Sequence, residues 1–206
     1  MKLYGFGESG NAYKVALMLE LTCTAWELEF VPFFQGGART EGFKALNEMA
    51  EVPVLVDGDL TLSQSGVILD HLAKRTGRFG PRDDHEAREI LRWLLWDNHK
   101  LSTQIGTCRF LMNFLPEEKR PPGVIPFLQG RLKAAYTVLE THLTGRGWIV
   151  GGAPTIADLS CCGYLYYPEP FGFHRDDWPA IGAWLDRLVA LPGWRHPYDL
   201  MPRAFL

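Results

Sequence analysis

Every strand signal in this 206-residue chain falls before residue 78. KLYGF is a short apolar strand, and TAWELEFVPF alternates Trp26, Leu28 and Phe30 against Glu27 and Glu29 as a half-buried strand until Pro32 ends it. VPVLV and LTL flank DGD, the turn chemistry of a hairpin. Helical patterns sit between and after these strands. NAYKVALMLELT sets Val15, Leu17, Met18 and Leu21 at helical spacing, and TEGFKALNEM reads as a short helix. SGVILDHLAKRTG groups Val67, Ile68, His71 and Leu72, with Gly77 as its stop. The order is strand–helix–strand–helix–strand–strand–helix. After the Gly/Pro/charged stretch FGPRDDHE only helical patterns remain. A long one covers 84–115 and is broken by KRPPG, and a second covers 124–144. A third starts at TIADLSCCGYLYY, and PAIGAWLDRLVAL gives a fourth between Pro179 and Pro192. The chain therefore divides into an α/β domain over 1–78 and an all-helical domain over 84–206.

This order restricts the meaning of GFGESG, residues 5–10, a literal G-x-G-x-x-G between a strand and a helix. Glu27 and Glu29 follow where a dinucleotide-binding fold places its ribose-binding acid. Such a fold needs about six mainly parallel strands in two halves. Here a single strand–helix–strand unit runs into a hairpin, so the loop serves another purpose. Composition narrows the function classes further. The net charge is −3 and the basic residues are scattered, which argues against nucleic acid. No apolar run approaches the ~18 residues of a membrane span, and the start lacks the apolar core of a signal peptide. Cys23, Cys108, Cys161 and Cys162 fit neither a zinc site nor C-x-x-C, and the six histidines are dispersed. The expectation is a cytoplasmic protein with reduced core cysteines and no metal.

Four short motifs carry the candidate chemistry. Ser9 and Asn11 lie at the start of the first helix, where free backbone N–H groups and a partial positive charge stabilise an anion. A hydroxyl donated there would favour a thiolate over a thiol whose pKa is near ~8.5. The competing reading is a plain helix cap. Val52-Pro53 reads either as an edge-strand proline or as a cis peptide that exposes the Val52 backbone to a ligand. Gln64-Ser65 opens the helix after the hairpin, where Ser65 either caps it or meets a carboxylate. Thr155 and Asp158 in TIAD have capping-box spacing and read as structural.

Together these motifs resemble the cytosolic glutathione transferase family, over the whole chain. SGNAYKV is similar to its bacterial-type "S-x-N-x-x-K-V" start, EVPVL to its Val-cis-Pro, QSGVIL to its "[E/Q]-S-x-x-I-L", and TIADLS to its helical-domain capping motif. The resemblance implies a thioredoxin-like domain followed by a helical domain that carries the second-substrate site, assembled as a homodimer. It implies glutathione as co-substrate, conjugated to a small electrophilic apolar molecule. Ser9 would donate to the glutathione thiolate, with Asn11 as second or alternative donor. Val52, held by Pro53, would pair its backbone with the cysteinyl part, and Gln64 and Ser65 would bind the γ-glutamyl end. Asp97 would reach the γ-glutamyl amine in the partner subunit, against a competing reading as a solvated helix charge. Tyr13, Trp93 and Phe110 are candidates for the second substrate. Isomerase, dehalogenase, ether-cleaving and peroxidase chemistry share this thiol site, and a non-catalytic binding protein is the remaining alternative. Two departures stand out. Glu51 occupies a position usually basic or amide, which brings like charge near the glycyl carboxylate, and Gln64 replaces the commoner Glu.

Overall fold

The computed structural model describes residues 1–205. Strands β1 (Lys2–Gly5), β2 (Glu27–Phe30), β3 (Val54–Asp57) and β4 (Leu60–Ser63) form one sheet in the order β2-β1-β3-β4. β1 and β2 run parallel, with Leu3 opposite Leu28, because a helix connects them. β3 lies antiparallel to both β1 and β4, as the Asp-Gly hairpin requires. β2 is an exposed edge rather than a half-buried strand: Glu27, Glu29 and Phe30 are exposed and only Leu28 is partly covered.

Helices α1 (Gly10–Leu21), α2 (Glu41–Leu46) and α3 (Ser65–Thr76) complete this part of the chain. α1 is buried nearly all round and packs on α3. Leu17, Ile68, Leu69 and Leu72 lose all solvent contact there, about 1.5–3 kcal/mol each. The phase of α3 differs from the expected one: Leu69 is buried and Val67 is 52% exposed. Gly77 ends α3 at φ 66, with its N–H on the Ala73 carbonyl. A second cluster joins Phe43 of α2 to Val31, Ala38 and Val54.

The helical part contains α4 (Asp84–Trp96), α5 (Thr103–Asn113), α6 (Val124–Leu143), α7 (Ile156–Cys161) and α8 (Pro179–Val189). The long pattern over 84–115 is not one α-helix. It widens into a π-helical turn over Asp97–Ser102, where side chains bond across five residues. Ser102 Oγ donates to Asp97 Oδ1 at 2.7 Å, and Thr103 Oγ1 to the Asn98 carbonyl at 2.5 Å. The helix starts are capped as local chemistry demands. Asp83 accepts from Glu86 N at 2.8 Å, and Glu140 of α6 accepts from the first amides of α8 at 2.8 and 2.9 Å.

The chain divides into two units, but not where the sequence placed the second boundary. One unit is Pro81–Leu191; the other is Met1–Gly80 together with the chain from Pro192 onward. The last helix, α9 (Pro197–Leu200), packs on α1, and Tyr13 Oη donates to the Arg195 carbonyl at 3.0 Å. Among the described residues no helix is long and apolar enough to cross a membrane. No disulfide joins the cysteines among the described residues; Cys108, Cys161 and Cys162 are buried, whereas Cys23 is exposed rather than in the core.

Candidate functional site

Three segments far apart in sequence meet at the starts of α1 and α3. Ser9 is the N-cap of α1, at φ −83 and ψ 103, and its Oγ accepts from Ala12 N at 3.2 Å. That bond uses the oxygen and leaves the hydroxyl hydrogen without an acceptor among the described residues. Capping and donation are therefore compatible, and the two readings of Ser9 do not exclude each other. Asn11, the second residue of α1, accepts from Ser65 Oγ at 3.5 Å, which ties the start of α1 to the start of α3.

Gln64, the N-cap of α3, sits at φ 68 and ψ 113. A non-glycine residue there costs about 1–3 kcal/mol, a strain that persists only when its surroundings hold it. Its Nε2 donates to Glu51 Oε2 at 3.2 Å and to Met49 Sδ at 3.1 Å. The two residues that depart from the usual pattern are thus partners. Asn47, 5% exposed, braces the same loop by donating to the Glu51 carbonyl at 2.8 Å and accepting from Met49 N at 3.2 Å. The Val52–Pro53 peptide is cis, and Val54 begins β3 directly after it. Ser9, Asn11, Ser65, Gln64, Glu51 and Val52 so form one continuous set around two helix N-termini.

The sequence overlooked Glu8, whose carboxylate is buried and engaged by backbone amides of the last segment of the chain. The only local signal was its place between Gly7 and Ser9. The glycines of GFGESG also find their reason here. A Cβ on Gly7 would lie 2.7 Å from the Met201 carbonyl oxygen, and one on Gly5 2.9 Å from Ala12 Cβ. Gly7 thus admits the backbone of residues 201–202 and Gly5 the side chain of Ala12, rather than a pyrophosphate.

Other expectations are corrected. Asp97 is not a solvated helix charge. It is 1% exposed, and its two oxygens accept from Ser102 and from Ser160 Oγ, the latter at 2.6 Å. Tyr13 is fully buried with its hydroxyl on Arg195, and Trp93 is 2% exposed against Trp96 and His142. Neither is open to a second substrate; Phe110 is 38% exposed. Thr155 and Asp158 form the full capping box. Asp158 accepts from Ile149 N, Thr155 N, Thr155 Oγ1 and Trp184 Nε1 at 2.8–3.2 Å. Burial nevertheless pushes its carboxyl up to about 6. Among the described residues no three His, Cys, Asp or Glu side chains are grouped to hold a metal.

Comparison with known proteins bears on the family and the fold. Residues 1–74 match the family model "Glutathione S-transferase, N-terminal domain", and residues 117–192 match "Glutathione S-transferase, C-terminal domain". A crystal structure of a glutathione S-transferase from Xanthobacter autotrophicus is 34% identical, with 96% of this chain and 98% of that chain covered and a TM-score of 0.88. A glutathione transferase from Burkholderia graminis, crystallised with two glutathione molecules per subunit, is 28% identical, with 93% and 84% covered and a TM-score of 0.84. The maleylacetoacetate isomerase of Pseudomonas aeruginosa is 28% identical over 207 residues, 96% of each chain. With both halves matched in order, a thioredoxin-like sheet domain first and a helical domain second, the chain belongs to the glutathione S-transferase family.

Proposed function

We propose that the protein binds glutathione at the starts of α1 and α3 and conjugates its thiolate to a small electrophilic apolar substrate. The observation that carries this reading is the Ser9 hydroxyl hydrogen, unclaimed beside the free amides of a helix N-terminus. Ser9 donates to the bound sulfur and, with the positive end of α1, lowers its pKa. Each unit of lowering is worth about 1.4 kcal/mol of preference for the charged form. The thiol proton leaves to solvent. The thiolate attacks the electrophilic carbon, and the electron pair of the broken bond departs with the leaving group. Val52 pairs its backbone with the cysteinyl part, beside Pro53, while Gln64 and Ser65 hold the γ-glutamyl end. Asn11 steadies Ser65 and is the alternative donor. Catalysis is thiolate activation plus proximity, with no protein nucleophile.

The assembly in this reading is a homodimer working in the cytoplasm in detoxification. Leu91 and Leu95, 56% and 63% exposed one turn apart on α4, support a dimer contact. A glutathione-dependent isomerase is the second reading, favoured by the likeness to the Pseudomonas isomerase. It regenerates glutathione, whereas conjugation consumes it. Calorimetry with glutathione, with ultraviolet detection of the thiolate across pH on the same sample, tests the site. Binding with a depressed thiol pKa is expected; no binding at millimolar glutathione overturns the reading.

A further inference from the structure

The buried carboxylate of Glu8 faces the last described residues of the chain. Ala204 N donates to Glu8 Oε2 at 2.8 Å, Phe205 N to Oε1 at 3.0 Å, and Arg203 Nε lies 3.5 Å from Oε1. On the other side of the same loop Gly7 N donates to the Pro202 carbonyl at 2.7 Å. The strap is seated along its own length as well. Gln35 Nε2 reaches the Ala204 carbonyl at 3.4 Å, and the Phe34 and Phe205 rings meet edge-on at 5.2 Å. Residue 8 is joined directly to Ser9, so whatever fixes Glu8 fixes the backbone from which the Ser9 hydroxyl projects.

We propose that Glu8 is a positioning residue: its carboxylate latches the 202–205 strap onto the 6–9 loop, and this latch sets how strongly Ser9 acidifies a bound thiol. The latch rests on the glutathione reading above but adds a requirement that reading lacks, namely that a residue some two hundred positions downstream governs the thiol site. A carboxylate accepting two backbone N–H groups in a buried place is not replaceable by an amide, whose NH₂ would face one of those donors. Glu8→Gln therefore releases the strap at nearly constant volume. Ala204→Pro deletes one of the same hydrogen bonds from the strap side, without touching the loop.

The experiment is a cycle of Glu8→Gln, Ser9→Ala and the double variant, with Ala204→Pro alongside. Each is read by the pKa of bound glutathione, by KM and kcat separately, and by amide hydrogen exchange over residues 6–13. Both latch variants should exchange faster at Ala12 and Tyr13. Each should raise the bound thiol pKa by about one unit, which lowers kcat roughly tenfold below that pKa while KM moves far less. In the Ser9→Ala background Glu8→Gln should change the thiol pKa no further, because its effect passes through Ser9. The proposal is overturned if the latch variants melt lower yet keep the wild-type thiol pKa and kcat. It is equally overturned if Glu8→Gln acts undiminished without Ser9. If Glu8→Gln does not fold, Ala204→Pro decides alone by the same readings. Failure of wild-type protein to bind glutathione overturns the functional reading and the latch together, whereas unchanged exchange in a glutathione-binding protein overturns the latch only.

Discussion

Ser9 at the start of α1 and Thr155 at the start of α7 perform the same local task, yet they end in opposite states. Thr155 caps its helix inside a closed network, with Asp158 absorbing the surrounding donors and the whole box buried. Ser9 caps α1 through one accepted bond, and its hydrogen remains to be given away. The difference lies in what surrounds each cap. Asp158 follows Thr155 by three residues and turns back onto it, whereas Asn11 turns away toward Ser65. A closed cap stabilises; an open cap is free to act on a ligand.

The sharpest way to break this contrast is at the closed cap. Asp158→Ala leaves four buried donors without their acceptor and should cost about 3–5 kcal/mol, measured by urea denaturation at pH 5. Loss under 1 kcal/mol would mean that the box is no more closed than the Ser9 cap. The pH dependence of the same group comes next. The folded state holds the Asp158 proton up to about pH 6, from an ordinary value of 3.8. Because the folded pKa is raised, this contribution is fully present below about pH 4 and is lost as pH rises through 6. The loss approaches ~3 kcal/mol and is absent in Asp158→Asn. Glu86 runs the other way: side-chain bonds from Arg82 hold its carboxyl low, so its contribution is lost only on acidification below the usual carboxylate range.

The open cap should respond differently. Ser9→Ala should lower stability by only about 1 kcal/mol, the worth of a cap, while raising the bound thiol pKa by a unit or more. Asn11→Ala should move that pKa far less. If both variants keep full activity and merely melt lower, Ser9 is as structural as Thr155. The smallest expected effect belongs to the Glu51–Gln64 pair. In the proposed complex, where Glu51 lies near the glycyl carboxylate, Glu51→Gln removes like charge and should tighten glutathione binding a few-fold, about 0.5–1 kcal/mol, with the gain shrinking in high salt. Calorimetry at two ionic strengths reads it, and weaker binding would show that the carboxylate assists the ligand.

Much of this was legible in sequence because it depends on neighbours three or four residues apart. The caps at Ser9 and Thr155, the stop at Gly77 and the Asp-Gly hairpin follow from local geometry and appear as read. Two local readings missed for identifiable reasons. Spacing alone groups Val67 with Ile68, His71 and Leu72, but the phase of α3 is set by what it packs on: Leu69 is buried and Val67 is exposed. The single helix over 84–115 is interrupted because Ser102 and Thr103 bond five residues back, a contact no propensity encodes.

By itself the sequence determined the order of strands and helices before residue 78 and the capping chemistry at Ser9 and Thr155. Periodicity and capping act within a turn or two of the chain, so they are written in adjacent letters. Tertiary structure alone decided that Asn11 meets Ser65, that Gln64 meets Glu51, and that Asp97 turns inward onto Ser160. It alone brought Ala204 to Glu8, 196 residues apart. Such contacts are selected by the closure of the whole chain and the burial of distant groups, and nothing in the letters beside them records it.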